Sequence, residues 1–251
     1  MEKYDVAIVG AGIAGSSLAY NLSKECPDKS ILLIDKGEPG ANAAYGYRNT
    51  TEDVVKKYNL PCNHIYKGVK VGTADEVHFT LDNDFYFLNY KKVCDNFIKK
   101  SNANFKKEKA TELNKNILET NSGKYKFNLL ADCSGHKFFA KKIYRQPTSF
   151  RYFIGKTRVL DNKVKNQDYF YYQFSDSGFI EELYPFKDKT LQGDWQYTKN
   201  VDFNQITPDE KTLYKKYIPN PKILQEDLAI LSAAPVFPLH YKNVVFLGES
   251  F

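Results

Sequence analysis

The chain begins with a glycine-rich turn between an apolar run and a helical pattern. The apolar residues 6–9 are followed by GAGIAG at residues 10–15, and a second apolar run, ILLID, ends on Asp35. An apolar strand, a G-x-G-x-x-G turn, a helix, a second strand and a terminal acid together form a complete dinucleotide-binding βαβ pattern. The pattern predicts that the chain starts with an α/β unit built on a parallel sheet.

Each glycine of this turn has its own steric role. Gly10 permits the tight turn, Gly12 lets the backbone approach a pyrophosphate, and Gly15 lets the helix pack close to the sheet. The helix that begins near Ile13 directs its free N–H groups and its positive end at the phosphates. Asp35 lies 20 residues after Gly15, where it can accept hydrogen bonds from an adenosine ribose. An acid there disfavours a 2′-phosphate, so FAD or NAD is expected rather than NADP.

Composition favours a soluble globular protein and argues against several partners. The 251 residues are 42% hydrophobic and 26% charged, which is ordinary for a globular chain. The net charge of +6 comes from lysines spread along the sequence, which predicts solvated faces, contact with an anionic membrane surface at most, and no nucleic-acid partner. No apolar run approaches the ~20 residues that span a bilayer. The four cysteines have no metal-ligand spacing, so we expect no metal site and a cytoplasmic location.

Strand-like segments interrupt the nucleotide-binding pattern twice, which predicts a second, discontinuous domain. We assign residues 1–61, 89–147 and 236–251 to a nucleotide-binding domain with a parallel central sheet. Residues 62–88 and 148–235 then form a mostly antiparallel β substrate domain. The fold class is therefore α/β and Rossmann-like, with an interleaved α+β second domain.

Local patterns predict several individual elements. Residues 82–88, DNDFYFL, predict a turn followed by a strand. Helical spacing covers residues 51–58 and 90–101, and a polar helix is expected over 209–217. The NSG sequence at 121–123 predicts a turn inside a small meander.

Two further motifs stand at strand ends. In ADCSGHKFFAKK, residues 131–142, a buried strand ends in small residues before a short basic helix, so backbone N–H groups and a cation can lie beside a diphosphate. In NVVFLGES, residues 243–250, a strand closes on Gly248 and Glu249. The carboxylate there can accept hydrogen bonds from sugar-like hydroxyls, while the glycine lets a ring approach. Taken alone, each motif also fits an ordinary strand end.

In the order of these three motifs, the chain resembles FAD flavoproteins with the same domain plan as the flavin hydroxylases. It most resembles the geranylgeranyl reductase family. Family members commonly read D-A-T-G-x-x-S-x-x-R where this chain has residues 132–141, and G-D-A or G-D-S where it has 248–250. Their G-Y-x-W-x-F-P strand is echoed by GFIEELYPF, residues 178–186. The resemblance covers nearly the whole chain.

The resemblance implies that the first motif binds the ADP half of FAD. Gly135 and Lys141 would lie on the diphosphate side, Glu249 would reach the ribityl chain, and Arg48 belongs to a loop expected near the flavin. The expected cofactor-binding set is Gly10, Gly12, Ile13, Ala14, Gly15, Asp35, Lys36, Arg48, Gly135, Lys141, Gly248 and Glu249.

The resemblance also implies reduction of carbon–carbon double bonds in an isoprenoid or other hydrophobic substrate. Electrons would come from an external donor, NAD(P)H or ferredoxin. Tyr184 would face the flavin across an apolar tunnel, and Glu181 is a second candidate because a carboxyl group facing apolar substrate can act as a proton donor. A flavin monooxygenase or halogenase, a lycopene-cyclase-like enzyme and a non-catalytic FAD-binding protein remain as alternatives.

Three features of this chain depart from the family pattern. The loop after Asp35 lacks the reactive Cys-Gly of the family, and the place of a family arginine falls on Tyr90 or a neighbouring lysine. The Gly-acidic motif carries Glu249 in place of aspartate. The sequence ends at Phe251, before the helices expected after that motif, which predicts that a C-terminal part is missing.

Overall fold

The fold is seen in a computed structural model of the chain. It describes residues 1–41, 47–73, 75–135, 139–144, 152–161, 164, 166–175, 178–199, 201–206, 217–218, 220–232 and 239–247, with backbone alone at a few of these positions. The chain divides into two units. Unit 1 comprises Met1–Gly46, Tyr90–Ser149 and Ala234–Phe251, and unit 2 comprises Tyr47–Asn89 and Phe150–Ala233.

Four helices and sixteen strands are formed by the described residues. The helices are α1 Ile13–Glu25, α2 Glu52–Tyr58, α3 Tyr90–Lys99 and α4 Phe139–Ile143. The strands are β1 Glu2–Val9, β2 Ile31–Asp35, β3 Tyr47–Thr50, β4 Cys62–Gly72, β5 Val77–Asn89, β6 Asn104–Lys107, β7 Ala110–Asn114, β8 Ile117–Thr120, β9 Lys124–Asp132, β10 Tyr152–Leu160, β11 Tyr169–Phe174, β12 Phe179–Phe186, β13 Lys189–Thr198, β14 Ile223–Ser232, β15 His240–Tyr241 and β16 Val244–Phe246.

Unit 1 is built on a sheet with the strand order β15-β16-β9-β1-β2-β6. The five strands from β16 to β6 are parallel to one another, while β8 joins β9 in antiparallel orientation. Strands of such a sheet are covered on both faces and need nearly continuous apolar runs. Ala7, Ile8, Leu32 and Leu33 are accordingly buried, and they divide between two core clusters. The predicted Rossmann-like α/β fold is confirmed.

Unit 2 is an eight-stranded sheet with the order β14-β10-β13-β12-β11-β4-β5-β3. Every pairing is antiparallel except that of β11 with β4. Residues 47–61, which we expected in the nucleotide-binding domain, mostly belong with this unit because β3 pairs with the end of β5. Three segments of the chain thus form unit 1 and two form unit 2, and each unit contains one sheet.

One local expectation differs from the structure and two are confirmed. β5 runs unbroken through residues 82–84, where a turn was predicted. Among the described residues, this part of β5 pairs with β4 alone, so its polar side chains stay exposed within a regular strand, and register shifts in that pairing absorb the irregularity. Helix α2 and the turn at 121–123 lie where predicted. The helix expected at 209–217 falls almost entirely outside the described residues.

Helices of the described chain are short. None of them combines the length and the apolar character that would let it cross a membrane.

Candidate functional site

The turn between β1 and α1 is packed so tightly that two of its glycines have no room for a side chain. Gly10 has a φ of +107°, and a Cβ atom on it would lie 2.2 Å from the carbonyl oxygen of Cys133. A Cβ atom on Gly15 would lie 1.8 Å from the carbonyl oxygen of Gly10. These distances show that the turn lies directly against the end of β9 and that α1 starts directly against the turn. Glycine is therefore required at both positions.

The N-terminus of α1 is open to an anion. Its N-cap residue, Gly12, provides no side-chain cap, and the first turn carries no acid. The backbone N–H of Ile13 donates to the hydroxyl of Tyr90, with a nitrogen–oxygen distance of 2.9 Å. A Cβ atom on Gly12 would lie 3.0 Å from the same hydroxyl. Ala14 is half-buried and Ile13 exposed, so this end of the helix can be reached from solvent.

Asp35 connects the glycine turn after β1 with the loop after β2 by hydrogen bonds. Its Oδ2 accepts a hydrogen bond from the N–H of Ala11 at 2.7 Å, and its Oδ1 accepts one from Gly37 at 2.9 Å. A carboxylate has about four acceptor positions, so each oxygen can still accept a ribose hydroxyl. Lys36, the next residue, is exposed. The glycine cradle, the acid-free helix end and this carboxylate fit the ADP half of a dinucleotide.

The D-x-S-G motif caps a helix. Asp132 is fully buried, and its Oδ1 accepts hydrogen bonds from the Ser134 N–H at 3.1 Å and from the Ser134 hydroxyl at 2.6 Å. Its Oδ2 accepts the N–H of Ala140 at 2.7 Å, and the Ser134 oxygen accepts that of Phe139 at 2.8 Å. Burial raises the pKa of Asp132, and these hydrogen bonds oppose the shift. The motif thus fixes the start of α4 immediately beside the glycine turn.

Gly135 and Lys141 occupy different surroundings from each other. Gly135 has a φ of +82°, while a Cβ atom on it would meet nothing within 4 Å, so backbone conformation and not space favours glycine. Lys141 is fully buried, with its Nζ 4.5 Å from the ring centroid of Phe246. Burial lowers the pKa of Lys141, and the charge of Asp132 opposes this. We expected Lys141 on the diphosphate side, but α4 directs it into the core of unit 1, beside Ala140.

Three residues of the expected cofactor-binding set are not described at the level of side chains. The backbone of Arg48 belongs to β3 in unit 2, and its side chain lies outside the described part of the chain. Gly248 and Glu249 fall outside the described residues altogether. Their roles remain predictions.

In unit 2, Tyr184 is held between two aromatic rings. Its ring stacks on Phe87 with a centroid distance of 5.5 Å and an interplanar angle of 17°. On Phe170 the distance is 5.1 Å and the angle 19°. Its hydroxyl lies 2.8 Å from that of Tyr172. Tyr66 completes this aromatic cluster. The cluster thus consists of Tyr66, Phe87, Phe170, Tyr172 and Tyr184, all of them buried except Tyr172, which is half-buried.

Glu181 lies on the opposite face of the same strand. Side chains alternate along a strand, and three positions separate the two candidates, so Glu181 and Tyr184 cannot both line one cavity. Glu181 is buried and accepts a hydrogen bond from Gln192 at 3.3 Å. This assigns it to a buried polar network, in contrast to both a solvated edge and a face turned to apolar substrate, the two positions that the sequence left open.

The polar network continues from Gln192 to a buried ion pair. Arg158 donates to the oxygen of Gln192 at 2.7 Å and to Glu226 at 2.7 Å, and it forms an ion pair with the fully buried Asp194. Burial raises the pKa of Asp194, while Arg158 opposes the shift. We did not anticipate this network from the sequence. Its signal is the alternation Thr190, Gln192, Asp194 between apolar neighbours, which places every polar residue on one face.

Comparison with known proteins identifies the cofactor of the N-terminal segment. Residues 5–49 match the protein family described as FAD dependent oxidoreductase. A segment of 78 residues, 31% of this chain, is 37% identical to the thiamine thiazole synthase of Coprinopsis cinerea, and the chain spans 24% of that relative's length. FAD is accordingly the cofactor for which the βαβ unit is built.

Two solved structures share the fold over almost the whole chain. The flavin-dependent brominase Bmp2 superposes with a TM-score of 0.82 at 15% identity, over 98% of this chain and 72% of the brominase. A geranylgeranyl bacteriochlorophyll reductase-like protein from Thermoplasma acidophilum gives a TM-score of 0.79 at 14% identity, over 99% of this chain and 71% of that protein. At such identities the likeness extends to the fold alone.

Proposed function

We propose that the protein is an FAD-dependent oxidoreductase that reduces carbon–carbon double bonds of an isoprenoid or other hydrophobic substrate. The observation that carries the proposal is the aromatic cluster on one face of the unit 2 sheet, in a chain that also holds an FAD-binding βαβ unit. Tyr184 is stacked between Phe87 and Phe170 in this cluster. Aromatic rings bury large apolar areas and suit a substrate without charge.

The reaction requires a hydride and a proton. Reduced FAD, when bound, supplies the hydride to one carbon of the double bond, and the neighbouring carbon takes a proton. The hydroxyls of Tyr172 and Tyr184 lie 2.8 Å apart, so either can donate to the other. We assign the proton to Tyr184 Oη, with Tyr172 as the group from which it is replaced. Tyr184 is buried among the surrounding rings.

The proposed reaction requires an external electron donor and a hydrophobic substrate. NAD(P)H or a ferredoxin would restore reduced FAD between turnovers, and the substrate would be a lipid or another hydrophobic molecule. We place the protein in the cytoplasm, with contact to an anionic membrane surface favoured by its net charge of +6.

A flavin monooxygenase or halogenase is the second candidate. A flavin-dependent brominase has the same fold, with a TM-score of 0.82, and this similarity favours the second candidate. The two candidates differ in their use of oxygen. A reductase transfers electrons from the reduced flavin to the substrate, whereas a monooxygenase or halogenase needs oxygen to form its product.

Product analysis with and without oxygen separates these candidates. The full-length protein with FAD is given NADPH or reduced ferredoxin and a geranylgeranyl substrate. A reductase adds two mass units per double bond and does so without oxygen. Oxygen-dependent addition of a hydroxyl group or bromine, with no saturated product, would show the second candidate to be correct.

Variants of the two tyrosines test the proton assignment. Tyr184→Phe keeps the stacked ring and removes the hydroxyl, so we expect kcat to fall by about a hundredfold with FAD affinity unchanged. Tyr172→Phe leaves Tyr184 Oη in place and should cost about tenfold or less. Equal kcat values for wild type and Tyr184→Phe would exclude Tyr184 as the donor.

A further inference from the structure

The hydroxyl of Tyr90 lies at the phosphate-facing end of α1. It is 2.9 Å from the backbone nitrogen of Ile13, the first residue of the helix, and 3.0 Å from the position of a Cβ atom on Gly12. Tyr90 is itself the first residue of α3, and it is half-buried. The hydroxyl therefore meets the glycine turn at the point where backbone atoms approach a pyrophosphate.

Helix packing fixes the place of this hydroxyl. α3 lies against α1, and the ring of Tyr20 on α1 is 5.4 Å from that of Phe97 on α3. Val93 and Cys94 on α3 are buried. Because both helices belong to unit 1, the start of α3 is held beside the start of α1 by contacts away from the glycine turn.

A pyrophosphate at this helix end needs hydrogen-bond donors. The backbone N–H groups of the first helical turn supply some of them. A tyrosine hydroxyl can accept one hydrogen bond and donate another, and hydrogen bonds to charged acceptors are among the stronger ones. A phosphate oxygen near the Ile13 N–H is also within reach of the Tyr90 hydroxyl, since the two groups are 2.9 Å apart.

We propose that Tyr90 is a ligand of the FAD pyrophosphate, with its hydroxyl accepting the N–H of Ile13 and donating to a phosphate oxygen at this helix end. The residue adds a donor without adding a charge at a helix end that has no acid in its first turn. The inference rests on FAD binding to the βαβ unit and not on the reaction that the flavin performs.

Calorimetric titration of the FAD-free protein with FAD, ADP and adenosine tests this role. Tyr90→Phe removes the hydroxyl alone, so the dissociation constants for FAD and ADP should rise about tenfold. Adenosine has no phosphate, and its dissociation constant should stay within about twofold of wild type. Tyr90→Lys restores a donor at this place, and ADP affinity should return to the wild-type value or exceed it.

The control is Tyr20→Phe, which removes a hydroxyl from the same helix pair and should leave all three affinities unchanged. Unchanged or tighter binding of ADP to Tyr90→Phe would overturn the assignment, because the hydroxyl would then cap the helix or obstruct the phosphate. Wild-type protein that binds neither FAD nor ADP would overturn cofactor binding itself. Wild-type binding without double-bond reduction would count against the proposed reaction and leave Tyr90 in its role.

Discussion

At the scale of single residues, the three glycines of the first turn are not equivalent. A Cβ atom on Gly15 would overlap the carbonyl oxygen of Gly10 at 1.8 Å, which no side-chain adjustment relieves. Among the described residues, a Cβ atom on Gly12 would meet the Tyr90 hydroxyl alone, at 3.0 Å, and the φ of Gly12 is −71°, an ordinary value. Gly15 therefore serves the fold, whereas Gly12 is available to serve the ligand.

This difference predicts opposite phenotypes for two alanine variants. Gly15→Ala should lower the free energy of unfolding by about 4 kcal/mol or more, because α1 must move off the turn. Gly12→Ala should cost about 1 kcal/mol or less, yet weaken FAD binding at least tenfold, since the new methyl group lies where the pyrophosphate approaches. Urea unfolding and FAD titration measure the two quantities. Equal losses of stability in the two variants would contradict the distinction.

Asp35 gives a second prediction at this scale. Both of its carboxylate oxygens accept backbone N–H groups, so Asp35→Asn replaces one acceptor by a donor that faces the N–H of Ala11 or Gly37. We expect a loss of about 1–3 kcal/mol in unfolding free energy and weaker binding of both FAD and adenosine. Adenosine is informative because it carries the ribose without phosphate. Unchanged adenosine affinity would show that Asp35 does not bind the ribose.

Residue-level prediction from the sequence succeeded where a motif fixes geometry. The glycine turn and Asp35 lie as the βαβ pattern requires, because backbone sterics leave few alternatives. Lys141 was placed on the diphosphate side by the family resemblance, but the direction of a side chain on a five-residue helix depends on how that helix packs. The contact of Tyr90 with Ile13 joins residues 77 positions apart, and no local pattern carries such information.

At the scale of elements, Asp132 sets the start of α4, and its burial predicts a pH dependence. Its pKa is raised above the ordinary 3.8, mainly by burial, so the folded protein holds this proton at pH values where the unfolded chain has lost it. Stability contributed by the protonated form is present at low pH and is lost as pH rises through the raised pKa. Ionised Asp132 thus costs stability that a neutral side chain avoids.

Asp132→Asn tests this sign. Between about pH 3.5 and neutral pH, the unfolding free energy of wild type should decline relative to that of the variant. Urea unfolding of both proteins across this range gives the difference directly, and the shared behaviour of the exposed carboxylates cancels. A difference that is constant with pH, or that changes in favour of wild type, would contradict the direction of the shift.

The strand network of unit 2 gives another element-scale prediction. Arg158→Met leaves Asp194 buried without its guanidinium partner, which should cost about 3–5 kcal/mol of unfolding free energy. Adding Asp194→Leu removes the unpaired charge and should recover part of that loss. Lys189→Met, on the strand of Asp194 but on the opposite face of the sheet, is the control. A loss no greater for Arg158→Met than for Lys189→Met would contradict the assigned pairing.

The sequence did not show which strand residues lack a second neighbouring strand, or which face of a strand is polar. The polar residues 82–84 suggested a turn because solvated polar runs are usual in turns, yet they lie within β5, where β4 is the one strand partner in the described part of the chain. On β12, alternation puts Glu181 and Tyr184 on opposite faces, yet we kept both as candidates because the sequence did not show which face was polar. That choice depends on Gln192 and Asp194 of the neighbouring strand.

At the scale of the whole molecule, the chain alternates between two units, each of which contains one sheet. The order of motifs predicted this interleaving, because a strand-rich segment that interrupts a βαβ pattern must form a sheet of its own. The limit of the first unit near residue 47 was not predicted, since the pairing of β3 with β5 is a long-range contact. Unit 1 accounts for the cofactor, and unit 2 for the proposed substrate.

The reductase proposal is tested most directly by a single turnover without oxygen. The FAD-loaded protein is reduced with dithionite under anaerobic conditions, freed of excess reductant and mixed with a geranylgeranyl substrate while flavin absorbance is followed. We predict reoxidation of the flavin with one double bond saturated per flavin, and a much slower reaction for Tyr184→Phe. Flavin that stays reduced with every polyprenyl substrate, and reoxidises only when oxygen is admitted, would contradict the proposal.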